Sequence, residues 1–357
     1  MYTNKFILSV IAIFILAQSF IHLPATSGSG QKMAAINGKA PSLSTADKKV
    51  YMAFASGDSI LYCVSSDMGK SFSLPVFAAV LPKLSIGGGR GPQIVSVKNQ
   101  LFIAAADNAG NIYTFIKKKN AGGWEKSGKI NDVPEVAKEG FVSLASNKKG
   151  EVYAIWLDLR NDKKNKIVGA KSRDGGRTWS KNKVIYISPD STVCECCKPS
   201  IAMKDQVVVV MFRNWLNGNR DLHIIQSNDG GINFGKAQKL GEGSWKLKGC
   251  PMDGGGVIIN TDNSILTVWR REGTIYSCEA GKKEEQIASG KQCVIAGDKG
   301  NTFIAFINEG KVYCRKPDGN RVELGSGGNP RLVATDAGSA LCAWENAGKL
   351  YYALLTR

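Results

Sequence analysis

Four of the nine cysteines in this 357-residue chain fall in two short stretches, Cys194-Glu-Cys196-Cys197 and Cys250. Three chemistries suit such a group. Cys250 could form a disulfide with a member of the 194–197 stretch. Three or four thiolates could bind Cu(I) or Zn(II), with Met252 as a thioether neighbour. The thiols could also stay free and redox-active. The Cys-x-Cys-Cys spacing is not that of a zinc finger, and adjacent Cys196 and Cys197 cannot easily bridge each other. His22 and His223 are the two histidines, too few for a His-based metal site.

The second set is cationic. Arg90, Arg160, Arg213 and Arg270 lie in loops, with Trp215 and Glu272 beside them. Arg213 and Arg270 each follow the aromatic that ends an apolar run, Phe212 and Trp269. Converging guanidiniums grip a carboxylate with two parallel hydrogen bonds, so these residues are the expected site for an anionic glycan or other acidic ligand. The net charge of +17 fits acidic partners, although much of it is lysine spread along the chain as on an ordinary soluble surface. Nucleic acid is not expected, because no segment interleaves aromatic and basic residues for binding it.

The elements that position these residues repeat. Apolar content of 43%, 40 glycines and few helical patterns indicate a globular, all-β chain. Units of roughly 37 to 57 residues recur, a period typical of propellers and solenoids. Each opens on a short apolar strand: Pro41–Leu43, Pro92–Ile94, Phe141–Leu144, Pro199–Ile201, Val257–Ile259, Cys293–Ile295 and Pro330–Leu332. A second strand ends near an aromatic in six units, at Phe54, Trp156, Phe212, Trp269, Phe306 and Trp344; periodic apolar positions of this kind are core. Third strands carry pairs such as Leu61-Tyr62 and Ile112-Tyr113. The pattern predicts seven blades. The chain ends on a third strand, so Lys32–Ile36 should return as the fourth strand of the last blade and close the ring. In that arrangement the loops entering each first strand share a face with the second-to-third loops. That face collects the four arginines and the four loop cysteines.

Between third and fourth strands an eight-residue pattern occurs three times: Ser65/Asp67/Gly69/Phe72, Ser172/Asp174/Gly176/Trp179 and Ser227/Asp229/Gly231/Phe234. Asp and Ser oxygens can accept from the turn N–H groups, Gly takes the positive φ, and the aromatic packs the turn onto its sheet. This Ser-x-Asp-x-Gly-x-x-aromatic pattern resembles the Asp-box (BNR repeat) of sialidases and related β-propellers, and the resemblance spans residues 32–357. It implies a structural role for the turns. It also implies an exo-sialidase-like site with an arginine triad, a Tyr nucleophile assisted by Glu, and an acid/base Asp, on six blades rather than seven. The chain departs from that pattern. The family's Phe/Tyr-Arg-Ile-Pro motif is missing near the first blade, with Arg90-Gly-Pro92 as a distant echo of it, and Tyr62, Tyr113, Tyr276 and Tyr351 sit within third strands. No catalytic pair can be named, so a glycan-binding protein is the first expectation and a glycosidase the second.

The N-terminus reads as an export signal over residues 1–27. Lys5 precedes the apolar run Phe6–Leu16, and small residues follow at Ala17-Gln-Ser19 and Ala25-Thr-Ser27. Residues 32–357 would then be a periplasmic or secreted propeller, monomeric, touching a membrane through the signal segment alone.

Overall fold

The structure is a computed structural model that describes residues 26–27, 30–119, 122–190, 192–336 and 338–357. The export segment expected over residues 1–27 lies almost wholly outside the described residues. Among those described, regular structure is all strand, arranged as seven sheets that form a seven-bladed propeller. Blade 1 is Lys39–Ala46, Lys49–Ser56, Ser59–Ser65 and Val76–Val80, four antiparallel strands in chain order. Blades 2 to 6 repeat that order, beginning at Gln93, Val142, Ser200, Gly256 and Lys291, and in blade 6 Thr26–Ser27 adds a fifth, parallel strand beside Arg321–Ser326. Blade 7 takes Gly328–Asp336, Ser339–Asn346 and Lys349–Thr356 from the C-terminus and Lys32–Ile36 from the N-terminus. Lys32 pairs with Tyr352 and Ile36 with Lys349, which closes the ring as expected from the missing fourth strand.

The core is a set of wedges between neighbouring blades. Second strands are covered on both faces, which is why Val152–Asp158 is buried throughout and reads as a continuous apolar run. Phe54, Trp156, Phe212, Trp269, Phe306 and Trp344 are all buried in these wedges. Each such ring contributes about 1.5–3 kcal/mol by leaving water.

The three repeated turns lock blades to their predecessors. In each, the Ser hydroxyl donates to the Asp carboxylate at 2.7 Å. The same Ser oxygen accepts the N–H of Gly69, Gly176 or Gly231 at 2.7–2.9 Å. The Asp then accepts the N–H four residues on, from Ser71, Thr178 and Asn233. These glycines have φ of 96°, 97° and 86°, a region that L side chains avoid. A Cβ on Gly176 would lie 2.2 Å from Phe102 of blade 2, and one on Gly231 2.0 Å from Tyr153 of blade 3. A Cβ on Gly69 would lie 2.4 Å from Leu341 of blade 7. The aromatics follow the glycines: Trp179 packs on Phe102, Phe234 on Tyr153 and Phe72 on Tyr352. Trp124 of blade 2, which lacks the full pattern, still stacks edge-on against Tyr62 of blade 1.

Candidate functional site

The opposite face is built from the loops that enter the first strands. They ring an axial cavity of about 290 Å³ lined by the inner strands of all seven blades. Its wall is polar because inner-strand serines tie blade to blade. Ser42 accepts the Ile94 N–H, Ser143 donates to the Pro199 carbonyl, and Ser200 donates to the Gly255 carbonyl. Two cations face this cavity, Lys198 and Arg331. Lys198 donates to Gln93 Oε1 at 2.6 Å. Burial first, and then the charge of Arg331, push the Lys198 ammonium well below the usual lysine range. Burial also pulls Arg331 down, against the charge of Glu345.

Asp253 is the acid in the same wall. Its Oδ2 accepts the Gln292 N–H at 2.6 Å, while Oδ1 is buried with no hydrogen-bond partner among the described residues. Burial raises its carboxyl, against the nearby charge of Arg213. Gly254 follows because the chain passes very close to its neighbour, and a Cβ there would lie 1.9 Å from the Lys198 carbonyl. The cavity therefore presents two poorly solvated cations opposite one carboxyl that is itself reluctant to ionise. Such an arrangement favours an anionic guest.

The arginines named from sequence do not converge. Arg213 is buried, and carbonyls take up its guanidinium. Nε and Nη2 donate to Asp253, Nη2 to Arg270 and Nη1 to Arg220, at 2.7–3.1 Å. It braces blade 4 to the loop ahead of blade 5, and the expectation that it grips a ligand is corrected accordingly. Arg160 is likewise engaged, since Asp158 holds it through two bonds of 2.8 and 2.9 Å and Asp132 lies at 3.3 Å. Trp215 stacks on Arg220 at 4.6 Å.

Arg90 and Arg270 remain at the rim. Arg90 donates to the Glu139 carbonyl, lies 3.9 Å from its carboxylate and sits 4.3 Å over the Phe141 ring. Burial raises the Glu139 carboxyl, with Asn165 and Arg90 opposing the shift. Arg270 packs on Trp245 at 5.3 Å and donates to the carbonyl of Glu272, whose side chain points to solvent. Lys198, Arg331 and Gln93 were missed by sequence reading. Each is next to a proline that opens an inner strand, Lys198 before Pro199, Gln93 after Pro92 and Arg331 after Pro330, so those openings are the signal that points to them.

Beside the mouth, the loop ahead of blade 4 gathers Cys194, Cys196 and Cys197. Their sulfurs are 3.5, 3.6 and 3.9 Å apart. All nine cysteines are free in the structure, so the expected staple from Cys250 is not formed. The reason is placement. Cys194 and Cys197 are buried under the loop, while Cys250 is exposed above it, 3.9 Å from Glu195 Oε1. Cys63, Cys278, Cys293, Cys314 and Cys342 are buried, all of them within strands. Burial pushes the Cys63 and Cys314 thiols up to about 12. Cys194 moves the other way, because Cys196 and Cys197 hydrogen-bond to it and Arg220 places a positive charge beside it.

Neither a family model nor a curated protein matches the chain. Solved structures do, at low identity. An ulvan lyase of a polysaccharide lyase family, solved bound to -[GlcA(1-4)Rha3S]-, is 12% identical with a TM-score of 0.61, covering 91% of this chain and 96% of its own. A lectin from Burkholderia pseudomallei is 10% identical with a TM-score of 0.65, over 90% and 97%. An α-L-arabinanase from Penicillium chrysogenum complexed with arabinobiose is 12% identical with a TM-score of 0.54, over 93% and 98%. The fold that these share with the chain is the β-propeller.

Proposed function

We propose that this chain is an exported, sialidase-like Asp-box propeller that binds an anionic saccharide at the axial mouth. The observation that carries the reading is the pair Lys198 and Arg331, two desolvated cations in one polar cavity with little opposing charge. A carboxylate or sulfate would relieve their mutual repulsion, and the wall amide of Gln292 suits a sugar hydroxyl. Arg90 and Arg270 at the rim would meet the outer residues of a longer chain. Three structural neighbours act on or bind saccharides, and one holds a glucuronate- and sulfate-bearing saccharide. That supports the ligand class by analogy of fold.

The test is calorimetric titration of the mature protein with uronate- and sulfate-bearing oligosaccharides, with neutral ones of equal length as controls. The charged set should bind, and Lys198→Met and Arg331→Met should each weaken binding about 10- to 100-fold, the worth of one charge-assisted contact. Equal affinity for neutral sugars, or no loss in either variant, would remove the reading. N-terminal sequencing of secreted material, expected to begin after residue 27, tests export.

A further inference from the structure

We propose that Cys194, Cys196 and Cys197 form a preformed binding site for one thiophilic d10 metal ion, Cu(I) or Zn(II). The site lies beside the saccharide mouth and does not depend on the reading of that mouth. The geometry supports it first. The point equidistant from the three sulfurs is about 2.1 Å from each, and a metal at the usual ~2.3 Å from thiolate sulfur would sit about 0.9 Å out of their plane. Disulfide formation would need one pair to close to about 2.05 Å. The three sulfurs are instead nearly equally spaced, and among the described residues theirs is the group of potential ligand atoms near enough to share an ion.

The surroundings support it second. Arg220, itself buried, aims Nη1 at Cys194 Sγ at 2.9 Å while stacking on Trp215. The N–H of Asp253 reaches Cys197 Sγ at 3.4 Å. Donors aimed at sulfur fit thiolates better than thiols and fix the ligands as outer partners do in metal sites. The loop is also pinned before any ion arrives. Cys194 N–H donates to the Arg213 carbonyl at 3.0 Å, and Val193 bridges to Asn214.

Binding would exchange three S–H protons for the ion, with no change in oxidation state. Three thiolates around Zn(II) carry one net negative charge, which the Arg220 guanidinium offsets. Cu(I) is satisfied by the three sulfurs alone once the triangle widens slightly.

The experiment uses the reduced, full-length mature chain under anaerobic conditions. It is titrated with Cu(I) against bicinchoninate and separately with Zn(II) against a chromophoric chelator. One ion held per chain in either arm is expected, and the arm that competes better names the metal. Cys196→Ser, at a partly exposed position that should leave folding intact, and Cys194→Ser should each weaken retention at least about tenfold. Cys278→Ser, in a strand of blade 5 away from the loop, should not. Circular dichroism of each variant separates lost ligation from lost fold. Failure of the fully reduced chain to hold one equivalent of either ion overturns the proposal, as does equal loss in Cys278→Ser. Recovery of a Cys194–Cys197 disulfide that forms in preference to metal binding overturns it as well. Saccharide titration of the same metal-free sample keeps this failure distinct from failure of the mouth.

Discussion

The two faces of this propeller use the same residue types to opposite ends. On the face with the repeated turns, each of Asp67, Asp174 and Asp229 sits amid hydrogen bonds from its own turn. On the other face, one buried oxygen of Asp253 has no hydrogen-bond partner among the described residues, and burial in the shared cavity lowers Lys198 and Arg331 below their usual ranges. A carboxylate satisfied by its own turn stabilises the fold and has little left for a ligand. Charges held at a cost in a concave site are where binding is to be sought. Glycine divides the same way. Gly176 and Gly231 let a turn press onto the next blade, while Gly254 lets a loop close over Lys198.

The comparison breaks most visibly at Gly176. Gly176→Val forces a branched side chain into positive φ and into Phe102, and should cost about 4 kcal/mol, combining backbone strain with overpacking. Urea unfolding measures it. A loss below about 1 kcal/mol would show that the turn does not lock blades 2 and 3.

Next comes the contrast between two arginines on the ligand face. Arg213→Met strips the donor from three buried carbonyls and should cost about 3 kcal/mol. Arg331→Met removes a desolvated charge and should leave stability unchanged or improved while saccharide binding falls. Similar unfolding midpoints for the two variants would erase the distinction between brace and binder.

These arginines also show how far the sequence carries. The seven units, the closing strand and the three turns were legible because each is written as local periodicity, which packing then obeys. Seven inner strands fell where the Pro- and Val-rich openings placed them. Arg213 and Arg270 occupy the same repeat position and looked equivalent. Both pack on Trp245, but their fates differ because the carbonyls of Asp253, Arg220 and Arg270 take up the buried Arg213 guanidinium while Arg270 stays partly exposed. Repeat position does not encode that. The cysteine loop was half-legible, since spacing placed the thiols on one face but not the distances between them.

The smallest effects lie in pH, where both faces should make stability rise with pH, the turns in the acid window and the cavity in the alkaline one. The backbone N–H of Asn233 and the Ser227 hydroxyl hold Asp229 at about 2, below the ~3.9 of an unfolded chain. Its contribution is therefore present above about pH 4 and lost as pH falls through about 2. Asp229→Asn should be less stable than the parent at pH 6, with the difference closing below pH 4. Lys198 has a folded value below its unfolded ~10.4, so the unfolded chain binds more protons across that window and stability rises with pH there. Its cost is fully present below the folded value, where Lys198→Met should be the more stable protein. That advantage should shrink as pH rises toward about 10. The Gln93 amide, the Arg331 guanidinium and the Asp253 carboxyl share the cavity wall with Lys198, and Arg331 is the neighbour that pushes its ammonium down. Lys198→Met in an Arg331→Met background should therefore show a smaller advantage. Urea midpoints for these variants against pH test both slopes at once. Parent and Lys198→Met profiles that run parallel up to about pH 10 would mean that the cavity cations are hydrated like surface ones, and the mouth would lose its claim to an anionic guest.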